Sequence, residues 1–489
     1  MTDQTHAQAG PGGAQALQPL ELIDRARVLE LLDQHLKSAW SSFDLPRPKE
    51  PELDGELRAR LDSELPSSPG DPQQALADAA HVLDASVSPA RPLYAAYIGS
   101  TALEAGVLAG ALQHAYDVNL ASSAGAAELL EQQTLRWMAE FIAFPMREGV
   151  FTSGGMTSNL TALTAAREAA LPGSRSEGIG GRRCAIYCSD EAHHSVVRAV
   201  EVMGIGSAAV RKIAIDRQRR MRAAELERVL AADRAAGVIP VAVVATAGTT
   251  LTGAVDPLAE IAAICREHGV WMHVDGAYGG PFAAVAEGRE HFAGLAQADS
   301  VTVDAHKLMG VQKSCSLVML AREGALARTF SHQERYMLHS GSAHNAVDAT
   351  LEYSRPVRSL KLWLAFRLYG ADVLRTWIGR NILHAQSLAA LLREAPEFEL
   401  LHDPMLSTLC FRYLGAGGGS SDPGSGSGPD LDGLNRRLAE AVVRDGRVYL
   451  APATVDGHVC LRVCFTNFRT HDEHVNELFE VVREIALGL

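Results

Sequence analysis

Between residues 149 and 320, short apolar runs alternate with stretches of helical spacing, and this alternation restricts the fold more than any other feature of the chain. The runs fall at 149–152, 185–188, 208–215, 240–246, 270–274, 301–303 and 316–320. Helical patterns at 158–171, 194–203, 222–236 and 257–268 lie between several of them. Strand then helix, repeated, predicts an α/β fold with a mostly parallel sheet covered by helices on both faces. Ligands in such sheets sit at the carboxyl ends of the strands, so the polar residues after each run are the places to search for a site.

The flanks read differently. Residues 20–36 have helical spacing, 41–72 read as extended with one short helix, and 75–85 are helical again. Two long helices are predicted at 102–116 and 126–144, the second with Leu135, Met138 and Phe141 for a core-facing side. Helices at 360–369 and 371–394 lead to a smaller unit with strands at 406–413 and 459–465 and helices at 431–445 and 471–487. The expected organisation is a disordered tail (1–19), an N-terminal helical segment (20–100), a large domain (101–370) and a small α+β domain (371–489). The run GAGGGSSDPGSGSGPD, 415–430, has the composition of a flexible surface insertion.

Composition excludes some functions. Lys and Arg number 45 against 58 Asp and Glu, a net charge of −13, which argues against a nucleic-acid or anionic-membrane partner. No apolar run has membrane-spanning length, and the N-terminus lacks the apolar core of a signal peptide. Seven cysteines in mostly apolar surroundings, without histidine partners, predict reduced core thiols in a cytoplasmic protein and no metal site.

Four clusters at strand ends carry chemistry. The first is FTSGGMTSNL, 151–160, a strand, two glycines and a helix start, which offers backbone N–H groups at the positive end of a helix dipole. A plain helix cap reads equally well. In SDEAHHSV, 189–196, two histidines open a helix; one could lie against a flat ring or simply cap. Next comes VVATAGTTLTGAVDP, 243–257. WMHVDGAYGG, 271–280, ends an apolar strand on Asp275, a carboxylate that needs a cationic partner when buried, unless it only caps a turn. Finally DAHKLMG, 304–310, puts Lys307 at the end of a further strand. Alone it reads as a solvated lysine; in this company it reads as an amine nucleophile. The parts fit pyridoxal 5′-phosphate: phosphate at the glycines, Asp275 at the pyridinium nitrogen, His193 on the ring and Lys307 as the Schiff-base lysine.

In these motifs the chain resembles the group II pyridoxal-phosphate-dependent amino-acid decarboxylases, a family with aromatic-L-amino-acid, glutamate and cysteine sulfinate branches, from about residue 93 onward. The resemblance implies the pyridoxal-phosphate transferase-like fold (fold type I) and a homodimer. It also implies a small-molecule amino-acid substrate and a product formed by loss of CO2. On the matching motifs it implies cofactor contacts from Gly154, Gly155, Met156, Thr157, His193, Thr246, Asp275, Ala277, His306 and Lys307. It implies substrate contacts from Tyr97, Ile98 and Arg462, the last in CLRVCF, 460–465. In SHQERYMLHSG, 331–341, it makes Tyr336 the proton donor to Cα and so favours an amine over an aldehyde product. The catalytic set is then Lys307, His193, Tyr336 and Asp275. Two other outcomes stay open: an aldehyde-forming or other reaction on the same scaffold, and a cofactor-free binding homologue. The chain departs from the family at Met156 and Ser158 (usually Thr and Ala), at Asp304 (often Asn) and at Pro356 and Val357. The pocket-side stretch 97–100 does not single out one amino acid.

Overall fold

The computed structural model describes residues 23–45, 54–121, 124–332, 346–416 and 430–489. They divide into two compact units. The first contains the helices Arg25–Phe43, Gly55–Leu61 and Pro72–Asp84. Each starts on an aspartate, Asp24, Asp54 or Asp71, whose carboxylate accepts an N–H of the first turn. The first of these helices outruns its expected end at 36 because nothing in 37–43 breaks it; Pro46 is the first proline beyond.

The second unit holds the site. Its main sheet has seven strands: β1 Glu148–Thr152, β2 Cys184–Ser189, β3 Val210–Ile213, β4 Ile239–Thr246, β5 Trp271–Asp275, β6 Ser300–Val303 and β7 Ser316–Leu320. They lie in the order β1-β7-β6-β5-β4-β2-β3. Pairing is parallel from β6 through β5, β4 and β2 to β3, while β7 runs antiparallel to both β6 and β1. The helix-free connection 304–315 explains that reversal, since a parallel return needs a crossover helix. This connection carries Lys307. The strands other than β7 therefore end at one edge, which gathers Ser153, Asp190, Ala247, Gly276 and Asp304 just beyond them.

Phe151, Tyr187 and Phe282 are fully buried in the core. The helix Gly155–Ala170 buries Ala162, Ala165 and Ala166, and side chains this small let it lie close to the strands. The helix Ser359–Glu394 is broken at Gly370 (φ 73°, ψ 163°), between the two helices expected at 360–369 and 371–394. Beyond it, β8 Phe398–Leu400, β9 Thr408–Tyr413, β10 Ala451–Val455 and β11 His458–Cys464 form an antiparallel sheet in the order β10-β11-β9-β8. Helices Leu431–Asp445 and Asp472–Leu487 accompany it. β8 and β10 have no counterpart in the sequence reading. Three residues are too few to show alternation, and β10 contains Pro452, which is tolerated because β10 is an edge strand.

All seven cysteines are free and buried. Among the described residues, no helix is long and apolar enough to cross a membrane. The expected tail 1–19, residues 417–429 of the expected insertion and Tyr336 lie outside the described residues.

Candidate active site

β1 delivers the chain through Gly154 into the helix Gly155–Ala170. The first intrahelical bond runs from Ser158 N–H to the Gly154 carbonyl, 3.0 Å, so the N–H groups of Gly155, Met156 and Thr157 precede the ladder. A Cβ on Gly155 would come within 2.8 Å of Asp304 Oδ2 and 3.2 Å of the Ala277 Cβ, so only glycine lets these three segments meet. The hydroxyls nearby are committed elsewhere. Ser158 Oγ bonds Thr152 Oγ1 (2.7 Å) and Ser316 Oγ (2.8 Å), tying the helix to β1 and β7, and Thr157 Oγ1 bonds Ser153 Oγ (3.0 Å).

Asp275 ends β5 and is 5% exposed. Its Oδ1 accepts the Ala277 N–H (3.2 Å) and its Oδ2 accepts Asn159 Nδ2–H (2.8 Å). Behind it stands a buried relay with one consistent direction. Trp271 Nε1–H donates to Ser300 Oγ (2.9 Å), and Ser300 Oγ lies 2.8 Å from His273 Nδ1. His273 Nε2 lies 3.0 Å from Asn159 Oδ1. The Asn159 NH2 donates to the Asp275 carboxylate and to Ser195 Oγ (3.0 Å), so its Oδ1 accepts from His273 Nε2–H, and Nδ1 of the neutral ring then accepts the Ser300 hydroxyl. Burial pushes the His273 pKa down to about 4, so the ring stays neutral and the relay keeps its direction.

Lys307 lies in the β6–β7 connection with Nζ 3.0 Å from Asp304 Oδ2. Asp304 is 2% exposed, its Oδ1 has no partner among the described residues, and His306 Nε2 lies 3.6 Å from Oδ2. His306 Nδ1 is 2.9 Å from the Cys315 carbonyl. Burial lowers the pKa of His306, and it does the same to His193, where the Lys307 charge adds to the effect. His193 Nδ1 accepts the Ser195 N–H (3.2 Å), so in the neutral ring Nε2 carries the proton.

Asn159, His193, Asp275, Asp304 and Lys307 help to wall one hollow of about 410 Å3 including its open mouth. Of the residues expected from sequence, Gly155, Met156, His193, Thr246, Asp275, Ala277 and Lys307 line it. Gly154, Thr157 and His306 are chain neighbours of lining residues. Tyr97, Ile98 and Arg462 do not line it. Arg462 donates from Nη1 to the Thr250 carbonyl (2.7 Å) and from Nη2 to the Ala96 carbonyl, with its guanidinium carbon 5.9 Å from the centre of the Tyr97 ring. Thr250 itself is on the wall. Asn159 and Ser195 also line the hollow and were not singled out by sequence, although Trp271, His273 and Asp275 share one face of β5 by their spacing of two.

The hollow fits pyridoxal phosphate. Thr246 lines it, with a buried Oγ1 that has no partner among the described residues, the Gly155–Thr157 N–H groups provide for an anion, and a carboxylate and an amine lie on the same wall. Residues 54–414 match the family described as the pyridoxal-dependent decarboxylase conserved domain. The chain belongs to this family.

The pyridoxal-dependent decarboxylases it resembles include an aromatic-L-amino-acid decarboxylase of Bacillus atrophaeus. It is 30% identical over 473 residues, covering 94% of each chain. A phenylacetaldehyde synthase of Arabidopsis thaliana is 29% identical, covering 88% of this chain and 89% of its own. Among solved structures, mouse CSAD in apo form superposes with a TM-score of 0.87 at 25% identity, over 95% of this chain and all (100%) of its own. Oryza sativa TDC with PLP and tryptamine gives 0.87 at 25% identity, over 96% and 99%. The protein is accordingly a pyridoxal-phosphate-dependent amino-acid decarboxylase of fold type I.

One support of this decarboxylase site is open to a stability test. Buried Asp256 accepts the Thr246 N–H (2.7 Å) and the Met221 N–H (2.6 Å), closing the base of the loop that carries Gly248 and Thr250. Burial raises its pKa to about 7, against the pull of these two bonds. Asp256→Ala strands two buried donors and is expected to cost about 2–4 kcal/mol in urea unfolding. A loss below about 1 kcal/mol would remove Asp256 as the anchor.

Proposed function

We propose that the protein converts an L-α-amino acid to CO2 and a primary amine, with Lys307, Asp275 and His193 as the central groups. The observation that carries this reading is their convergence on one hollow beside the start of the helix Gly155–Ala170. Pyridoxal phosphate, when bound, supplies an electron-poor ring that takes up the electron pair left by departing CO2. The Gly155–Thr157 backbone holds the phosphate, with Gly154 shaping the turn and His306 alongside. With the cofactor in the hollow, Asp275 would hold a proton at the ring nitrogen, and Ala277, Thr246 and His193 would contact the ring. Lys307 Nζ is the amine that would hold the cofactor covalently.

Arg462, expected at the substrate carboxylate, acts on the site from behind its wall. Its Nε has no partner among the described residues, and its other N–H groups hold the wall residue Thr250 and the Tyr97–Ile98 segment in place. Tyr336, outside the described residues, returns a proton to Cα, which makes the product an amine. The relatives include both amine- and aldehyde-forming enzymes, so product analysis is the decisive measurement. The expected result, in a screen of the common amino acids with added cofactor, is CO2 and amine in equal amounts from one side-chain class. An aldehyde with hydrogen peroxide and ammonia would replace this reading, and silence on every amino acid would end it.

We further propose a homodimer in the cytoplasm. A stripe of exposed Leu108, Leu112 and Tyr116 on the helix Glu104–Tyr116 supports the first, and seven unpaired thiols support the second.

A further inference from the structure

One arginine outside the hollow ties together the segment that carries His193 and the loop that carries Thr250. Arg219 lies in the turn between the bridged residues Ile215 and Met221. Asp216 staples this turn, its Oδ1 accepting the N–H groups of Gln218 (2.8 Å) and Arg220 (2.9 Å). The Arg219 backbone is left-handed, φ 65°, a conformation that costs a non-glycine residue energy. Its side chain is only 12% exposed. Nε donates to Glu191 Oε1, and Nη1 donates to both oxygens of Asp456, at 2.9 and 2.8 Å.

Both partners matter by position. Asp456 and Gly457 form the two-residue turn of the β10–β11 hairpin, each with positive φ (51° and 83°), as a type I′ turn requires. Glu191 lies two residues before His193. Its Oε2 accepts from Thr252 Oγ1 (2.9 Å), and Thr252 shares a hydrogen bond with Thr249 Oγ1 (2.9 Å), next to the wall residue Thr250. Arg462, on β11, donates to the Thr250 carbonyl. The four-stranded sheet thus reaches the site wall by two arms.

We propose that Arg219 is a positioning residue, and that the Glu191–Arg219–Asp456 bridge clamps the His193 segment and the 249–252 loop for the amino-acid substrate. This rests on the role given to His193 above. The Glu191 side chain is 7% exposed, so loss of Arg219 leaves a buried carboxylate whose one remaining hydrogen-bond partner among the described residues is the Thr252 hydroxyl, and drives the segment to rearrange. Asp456 is 71% exposed, so its removal releases the outer arm while Glu191 stays paired.

The test compares Asp456→Ala, Arg219→Met and the double variant as full-length, cofactor-loaded enzymes. Amide hydrogen exchange in 189–196 and 247–255 is expected to rise about fivefold or more in both single variants, with β5 and β6 unchanged. KM for the amino acid rises by a similar factor while covalently held cofactor stays at the parent level, and the double variant is no worse than Arg219→Met. Exchange within about twofold of the parent, or effects of the two substitutions that simply add, would overturn the clamp. Should Arg219→Met not fold, Asp456→Ala alone decides by the same exchange measurement. If the decarboxylase reading itself fails, the parent releases no CO2, yet the exchange result still reports on the clamp.

Discussion

Lys307→Ala is expected to fold but to hold no pyridoxal phosphate covalently, and its CO2 release is expected to fall by roughly 10^4-fold or more. The reason is local. Among the described residues the lysine nitrogen is the only side-chain amine on the wall of the hollow, and its reach is fixed by the short β6–β7 connection. Removing it also leaves the Asp304 carboxylate, with one oxygen already unpartnered, without its ion pair. Borohydride reduction followed by peptide mass analysis checks the attachment directly. Cofactor mass on another lysine of the parent protein, or undiminished CO2 release by the variant, would sink the assignment. Melting temperature serves as the control, since Lys307 stands at a solvent-reachable hollow and not in the core.

Asp275→Asn is expected to keep the cofactor attached and yet lower kcat by about 10^2–10^3-fold, the scale of losing one preorganised charge in a buried site. The relay makes the consequence sharper than a lost charge. Trp271, Ser300 and His273 orient Asn159 so that its amide donates toward position 275. A carboxylate accepts that donor and the Ala277 N–H at once. An asparagine there has one oxygen for two donors, and its own NH2 faces another NH2 or backbone N–H. Single-turnover CO2 release with substrate in excess over KM, alongside the visible spectrum of the cofactor, separates lost chemistry from lost cofactor. A variant within about threefold of the parent would mean that this carboxylate does not act on the ring.

Much of this site is visible along the chain because it depends on local chemistry. A strand that ends on Asp275, a strand–glycine–glycine–helix junction at 152–155 and a lysine after β6 can each be recognised within a few residues. The parallel sheet then brings them together, since its strands other than β7 end at one edge. Ser158 shows the limit. The sequence marks it only as a departure from the usual Ala, and it is the fold that brings Ser316 of β7 against it, so that the hydroxyl is used between protein groups. Asp304 shows the same limit in charge, since its ion pair with Lys307 depends on the turn that joins β6 to β7.

Residue order by itself determined the alternation of strands and helices, the family, the break at Gly370 and the positions of Lys307, Asp275 and His193. Period, backbone preference and side-chain chemistry are properties of short stretches. Only the tertiary structure decided that His273 stays neutral between Ser300 and Asn159, that Asn159 turns its amide toward Asp275, and that Arg219 joins Glu191 to Asp456. These partners stand 27, 114, 116, 28 and 237 residues apart in the chain. The direction of a hydrogen bond and the cost of burying a charge depend on what lies across the sheet, and no local periodicity encodes that.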